Sequence, residues 1–135
     1  MSKNRADLVL FFRALADRTR LRLLNLIGNR EVCVCFFVEI LGTNQPKISR
    51  HLAYLRRAGI VEARREGKWM HYRISDPVDA TVKSFLKGVS TWLDEDEAMK
   101  KERLRLDNIC SAPKPPAHLR NAPLPSAARV ISGSE

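Results

Sequence analysis

The side chains with the most distinctive chemistry in this 135-residue chain are three cysteines, Cys33, Cys35 and Cys110. Sulfur donors favour thiophilic ions over Mg²⁺ or Ca²⁺. We recognise no secretory signal, so the expected compartment is the cytoplasm, where thiols stay reduced. Side chains two residues apart diverge by about 200° on an α-helix, but they share one side of an extended segment. We therefore expect Cys33 and Cys35, at the start of a short helix, to bind one soft ion only if that helix start unwinds.

Two alternatives for the cysteines stay open. Cys33 and Cys35 are interpreted either as metal ligands or as small buried apolar side chains, because free cysteine is often buried. Cys110, which follows the last apolar stripe, is either a third ligand or an incidental surface thiol.

The charge of the chain is strongly positive and unevenly distributed. The formal net charge is +9, and residues 43–75 hold eight Lys or Arg against two acids. A basic patch confined to one structural unit indicates a polyanionic partner. An apolar content of 44% excludes a fully disordered chain, and no uncharged apolar stretch approaches the ~20 residues of a membrane span.

The spacing of apolar residues predicts a mainly α-helical fold with a small β-hairpin. Gly28 and Gly42 are expected to end helices, and Asn44 to cap the helix that follows. Alternating residues on either side of Glu66-Gly67 predict the hairpin. The predicted helices cover residues 5–15, a segment from Asp17 or Thr19 to Ile27, and residues 35–41, 45–58 and 77–106.

The last predicted helix is too long for its apolar stripe to be covered within one small domain. We therefore expect a homodimer that buries this stripe against a second copy. Five of the seven prolines fall in residues 113–125. The predicted organisation is one DNA-binding and dimerisation domain over residues 1–110 and a disordered, Pro-rich tail over residues 111–135.

Helix, turn, helix and hairpin in this order predict a dimeric winged helix-turn-helix. Its second helix is expected to enter the major groove of double-stranded DNA, and its hairpin, the wing, to contact the backbone or the minor groove. The alternative is an ordinary solvated charged surface. The candidate DNA-binding residues are Gln45, Lys47, Ser49, Arg50, His51, Arg64, Arg65 and Lys68.

The block Gln45-Pro46-Lys47-Ile48-Ser49-Arg50-His51-Leu52 resembles the ArsR/SmtB family of bacterial metal-responsive repressors. The resemblance extends to Gly59-Ile60-Val61 and to the wing segment Arg64-Arg65-Glu66-Gly67-Lys68-Trp69 with His71-Tyr72-Arg73. It implies a homodimeric repressor that binds an imperfect palindrome at its own promoter and leaves it when a metal or metalloid binds.

The pair Cys33-Val34-Cys35, preceded by Glu31, is similar to the thiolate site of this family. The resemblance implies an inducer such as As(III) or Sb(III), or cadmium or lead in a related subset, and no permanently bound cofactor. The best-known arsenite sensors have a third cysteine where this chain has Val38. Cys110, from the same or the partner protomer, is the candidate to replace it; otherwise the pair alone is expected to bind a methylated trivalent arsenical.

Other classes of function fit the sequence less well. It has no Gly-rich phosphate loop and no nucleophile–base spacing, so we do not expect an enzyme. Residues 77–106 contain no histidine, which disfavours the zinc site that relatives carry on the long helix. A thiol redox switch on the same fold and a basic architectural or RNA-binding protein without inducer remain the alternatives.

Overall fold

The computed structural model describes residues 7–127 and is mainly helical. Its helices are α1 (Leu8–Leu15), α2 (Arg18–Ile27), α3 (Val34–Leu41), α4 (Gln45–Arg57), α5 (Ala80–Glu95) and α6 (Glu97–Ser111). Its strands are β1 (Arg30–Cys33), β2 (Val61–Glu66), β3 (Trp69–Ile74) and β4 (Ser126–Ala127), and a 3₁₀ turn covers Ala117–Leu119. The strands form one antiparallel sheet in the order β2-β3-β1-β4. The predicted hairpin is therefore part of a slightly larger sheet.

Aspartate side chains determine where the first two helices begin. Asp7 accepts a hydrogen bond from the backbone N–H of Leu10 at 3.1 Å, and Asp17 accepts one from that of Arg20 at 3.0 Å. Each satisfies a backbone donor that the first helical turn leaves unpaired. Asp17 rather than Thr19 is thus the cap of α2, and α1 begins at Leu8. Residues 5 and 6 of the predicted first helix lie outside the described residues.

One apolar core joins the helices to the inner face of the sheet. Its members come from all six helices and from β1 and β2, and the most deeply buried include Phe11, Leu23, Leu26, Ile27, Val32, Phe36, Phe37, Ile48, Leu52, Leu55 and Leu106. Across residues 7–127, no helix combines the length and the apolar character that crossing a bilayer requires.

The prediction of a single long helix over residues 77–106 is wrong. Asp96 interrupts it with an extended backbone (φ −75°, ψ 130°), and its carboxylate accepts the backbone N–H of Met99 at 3.1 Å. The second half therefore becomes a separate helix, α6, which packs against α2 and buries Met99 and Leu106. The first half also begins later than expected, since its cap is Asp79 rather than Asp76.

The segment after α6 differs from the expected disordered tail. Leu119 is only 3% exposed, and His118 Nε2 lies 2.7 Å from Glu39 Oε1 on α3. β4 then pairs with Arg30 and Glu31 of β1. Residues 117–127 are thus attached to the domain, whereas residues 128–135 lie outside the described residues.

Candidate thiol site and nucleic-acid interface

The two thiols of Cys33 and Cys35 meet at the junction between β1 and α3. Cys33 is the last residue of the strand and the N-cap position of the helix, with an extended backbone (φ −73°, ψ 142°). Cys35 Sγ donates a hydrogen bond to Cys33 Sγ across 3.1 Å. The expectation that the helix start must unwind is therefore wrong: because the strand ends at Cys33, the two sulfurs already converge.

The two thiols share a proton unequally. The S–H of Cys35 and nearby backbone N–H groups stabilise the thiolate of Cys33, which lowers the pKa of Cys33 to about 7 although burial opposes the shift. The pKa of Cys35 is raised, because this group retains the proton it donates and is itself half-buried. The ionisation near neutral pH therefore belongs to the pair rather than to one sulfur.

The separation of the two sulfurs suits a single bridging ion. Metal–sulfur bonds to thiophilic ions such as zinc are ~2.3 Å long, so one ion can bond to two sulfurs that lie 3.1 Å apart. Cys33 is fully buried, whereas Cys35 is partly exposed. An ion therefore reaches the pair from the side of Cys35.

Cys110 does not join this pair within one chain. It lies near the end of α6, half-buried, and the charges closest to it are those of Arg30 and Asp107. Burial raises the pKa of the Cys110 thiol. Among the described residues, no three His, Cys, Asp or Glu side chains are placed to hold one metal ion.

Helix α4 is fixed at its start and along one face. The Asn44 side chain accepts the backbone N–H of Lys47 at 3.0 Å, and Pro46 occupies the first turn, where no backbone N–H is needed. Gly42 makes the preceding turn with φ 65°, a left-handed conformation that favours glycine. The apolar face of α4 is buried completely, which leaves the opposite face of the helix in solvent.

The exposed face of α4 and the wing tip carry most of the predicted DNA-binding residues. Those with exposed side chains are Gln45, Lys47, Ser49, Arg50, Arg65 and Lys68, to which the structure adds the exposed Arg56 and Arg57 at the end of α4. Lys68 Nζ lies 5.0 Å from the centre of the Trp69 ring at the wing tip. Positive side chains on an exposed helix and its neighbouring hairpin can neutralise DNA phosphates.

His51 is placed differently from its predicted position. Its Nδ1 lies 3.3 Å from Arg20 Nη1 and 3.8 Å from Asp17 Oδ1, so the ring faces α2 rather than the exposed side of α4. Arg20 also donates to the carbonyl of Ala14 and stacks over the Tyr54 ring at 4.2 Å. In this structure His51 links α4, the second helix of the helix-turn-helix, to α2.

Arg64, whose side chain is 33% exposed, forms an ion pair with a buried carboxylate. Its Nε donates to both carboxylate oxygens of Glu31 at 3.0 and 3.1 Å, and this ion pair raises the pKa of Arg64. Glu31 is 3% exposed. Sequence reasoning missed the pair because it joins residues far apart in the chain; the available signal was the alternation that places Glu31 on the same side of β1 as Cys33.

An apolar surface remains uncovered on α1 and α5. Leu8, Val9 and Phe12 are 36, 62 and 48% exposed, and Phe85 is 37% exposed. The Phe12 and Phe85 ring centres lie 5.3 Å apart, so the two helices present one continuous aromatic patch. Trp92, further along α5, is 57% exposed.

A helix-turn-helix with an exposed basic second helix, followed by a β-hairpin, defines a winged helix-turn-helix DNA-binding protein. Residues 17–63 match the family described as bacterial regulatory protein, arsR family. The arsenic resistance transcriptional regulator ArsR1 of Pseudomonas putida is 44% identical over 110 residues, which cover 78% of this chain and 81% of that protein. The chain therefore belongs to the ArsR family of DNA-binding transcriptional repressors.

Solved structures agree with this assignment. A homodimeric winged helix-turn-helix domain from Mycobacterium bovis superposes with a TM-score of 0.54 at 33% identity, covering 65% of this chain and 79% of that one. The AntR antimony-specific transcriptional repressor superposes with a TM-score of 0.51 at 33% identity, covering 66% of this chain and 78% of that one. These similarities extend the relation from sequence to fold.

Proposed function

We propose that this protein is a homodimeric operator-binding repressor that leaves DNA when trivalent arsenic or antimony binds the thiolates of Cys33 and Cys35. The observation that carries the proposal is the 3.1 Å approach of the two sulfurs immediately before the helix pair that presents the basic face. The names of the similar proteins, an arsenic resistance regulator and an antimony-specific repressor, support a metalloid as inducer.

The chemistry of the pair suits a trivalent metalloid. Each new arsenic–sulfur bond replaces an arsenic–hydroxide bond of arsenous acid, and each hydroxide leaves as water after gaining a proton from Cys35 or from solvent. The third position on arsenic keeps its hydroxide, or a methyl group in a methylated arsenical. The pair thus serves as a two-sulfur site, with no third ligand among residues 7–127 of the same chain.

Binding there changes the geometry that supports α4. An ion bonded at ~2.3 Å to both sulfurs, at a right angle or wider, holds them slightly farther apart than 3.1 Å and replaces their hydrogen bond. The first turn of α3 then shifts relative to β1. Because α3 packs against α4 and is joined to it by only residues 42–44, the shift alters how α4 fits the major groove.

Dimerisation is assigned to the aromatic patch on α1 and α5. A patch that contains Phe12 and Phe85, which are 48% and 37% exposed, is unfavourable in water and is buried when two copies associate. Two copies related by a twofold axis present two α4 helices to two half-sites, which is the arrangement that an imperfect palindrome requires.

The test measures operator binding by fluorescence anisotropy, with a duplex selected from random sequence by the protein itself. Arsenite, antimonite, methylarsenite, Cd²⁺ and Pb²⁺ are each titrated into the complex. We expect the trivalent metalloids to release the wild-type protein, and the Cys33→Ser and Cys35→Ser variants to bind the duplex equally well but to remain bound.

Cys110→Ser is the matched control for the loss of a thiol. We expect it to release the duplex as the wild type does, because Cys110 lies apart from the pair. Loss of release in Cys110→Ser would instead assign this thiol as a third ligand from the partner protomer. A Cys33→Ser/Cys35→Ser protein that still leaves DNA on arsenite addition would overturn the proposal.

The short sulfur–sulfur distance also favours a second candidate, redox control of the same pair. Oxidation by hydrogen peroxide would form the Cys33–Cys35 disulfide: the two sulfurs give up two electrons and their hydrogens, and the peroxide becomes two waters. Release by peroxide that dithiothreitol reverses, with no response to metalloids, would favour this candidate over the first.

A further inference from the structure

Three side chains form a row across one face of the sheet. In the antiparallel register, His71 of β3 lies opposite Cys33 of β1 on one side and opposite Arg64 of β2 on the other. Residues directly opposite each other in neighbouring strands project to the same face. The thiol strand and the wing therefore share one surface, with the buried His71 between them.

The ion pair between Arg64 and Glu31 crosses this row. β3 separates β2 from β1, and neighbouring strands lie about 4.7–4.9 Å apart, so the Arg64 side chain extends across β3 to reach Glu31. Both carboxylate oxygens of Glu31 accept the Arg64 Nε–H, at 3.0 and 3.1 Å, and the Nη2 contact to Oε1 is 2.5 Å. A planar guanidinium bound in this way fixes orientation as well as distance.

The inner end of this ion pair lies next to the thiol site. Glu31 and Cys33 are two residues apart in a four-residue strand, so a displacement of Cys33 also displaces Glu31. The outer end lies next to the wing tip, since Arg64 directly precedes the exposed Arg65, and the exposed Lys68 lies in the turn itself. The wing and the thiols thus have a direct connection that bypasses α4.

We propose that the Glu31–Arg64 ion pair couples metalloid binding at Cys33 and Cys35 to the position of the wing on DNA. The inference rests on the proposed function of the thiol pair. Glu31 and Arg64 act as positioning residues: Glu31 binds neither the metalloid nor DNA, and Arg64 acts through Glu31. Their removal leaves both binding surfaces in place but reduces the influence of one on the other.

Coupling between two ligands is reciprocal, which makes it measurable in two ways. If the metalloid weakens DNA binding by some factor, then DNA weakens metalloid binding by the same factor. Such factors typically span ~5–150-fold. The quantity to determine is the ratio of operator affinities without and with saturating arsenite, measured for each variant of the full-length protein.

The variants are Glu31→Gln and Arg64→Met, with Arg65→Met as the matched control. Arg65 is the next residue, is exposed, and points to the other face of β2. We expect the affinity ratio to fall about tenfold in Glu31→Gln and in Arg64→Met. The ratio in Arg65→Met stays that of the wild type, although its DNA binding weakens and its salt slope falls by about one.

The outcomes separate this inference from the proposed function. A wild-type protein that does not respond to arsenite overturns both. A wild type that responds, with unchanged ratios in folded Glu31→Gln and Arg64→Met proteins, overturns only the coupling. A loss of apo DNA affinity and salt slope in Arg64→Met, with the ratio unchanged, shows instead that Arg64 binds a phosphate.

Arg64→Lys keeps the inference testable if the neutral variants do not fold, as circular dichroism would show. Lysine keeps the charge but cannot form the two-oxygen contact of the guanidinium. We expect Arg64→Lys to fold and to retain only part of the affinity ratio. A full wild-type ratio in Arg64→Lys contradicts the proposed role of this geometry.

Discussion

The rate at which arsenite releases the repressor from DNA should depend on pH in a way set by the thiol pair. The S–H of Cys35 lowers the pKa of Cys33 to about 7. Thiolates, and not thiols, are the reactive nucleophiles. The lowered pKa means that the reactive form is present above pH 7 and is lost as the pH falls through 7. We therefore expect the release rate to rise with pH and to level off above pH 7.

The expected magnitudes follow from the fraction of thiolate. A group with a pKa of about 7 is about 9% ionised at pH 6, half ionised at pH 7 and about 91% ionised at pH 8. The rate should then rise about fivefold from pH 6 to 7 and less than twofold from pH 7 to 8. For an unperturbed thiol with a pKa of ~8.5, the rate would instead rise about tenfold from pH 6 to 7 and about eightfold from pH 7 to 8.

The assay is stopped-flow fluorescence of a labelled operator duplex at fixed ionic strength, with arsenite low enough for its binding to limit the rate. All measurements use the Cys110→Ser variant, so that Cys33 and Cys35 are the thiols that titrate. As a control, Cys35→Ala/Cys110→Ser leaves Cys33 without its S–H donor, and its thiolate absorbance should titrate at a higher pH than that of the intact pair.

A release rate that increases about eightfold between pH 7 and 8 means that the pair ionises like an ordinary thiol. The sulfur–sulfur hydrogen bond at 3.1 Å would then have no effect on the chemistry of the site.

Three further predictions concern the scaffold. Ile48→Ala, at a fully buried position of α4, should lower the free energy of unfolding by about 2–5 kcal/mol in urea titrations. Ser49→Ala, at the exposed neighbouring position, should change this free energy little. Equal effects of the two substitutions would contradict the observed burial. Phe85→Glu should shift the protein to monomer in sedimentation experiments, and the adjacent, exposed Ser84→Glu should not; a dimeric Phe85→Glu protein would place the interface elsewhere. Lys47→Ala should weaken binding to all duplexes alike and reduce the salt slope by about one, and a sequence-selective loss would instead indicate base contact.

Local signals in the sequence were sufficient to predict the DNA-binding unit. The Asn44 cap, Pro46 and the fully buried stripe of α4 are encoded within a few residues of one another, and the structure confirms them. The turn at Gly67, with φ 61°, likewise marks the tip of the wing. Such features depend on neighbouring residues, so periodicity and turn chemistry identify them.

The errors arose where a local pattern had two interpretations. Asp96 interrupts an apolar stripe that periodicity alone continues, because a capping side chain can begin a new helix inside it. Cys33 was assigned to a helix, although the strand before it ends there. The Glu31–Arg64 ion pair and the pairing of β4 with β1 join distant parts of the chain, which no window of sequence contains.

The pairing of β4 with β1 has a consequence for the behaviour of the protein at high concentration. Without residues 126–127, the backbone N–H and C=O groups of Arg30 and Glu31 would face solvent along one side of the sheet. An open strand of this kind invites edge-to-edge association with other molecules. The C-terminal segment thus protects the strand that carries Cys33 from aggregation, and a chain truncated after Ser111 is expected to precipitate more readily.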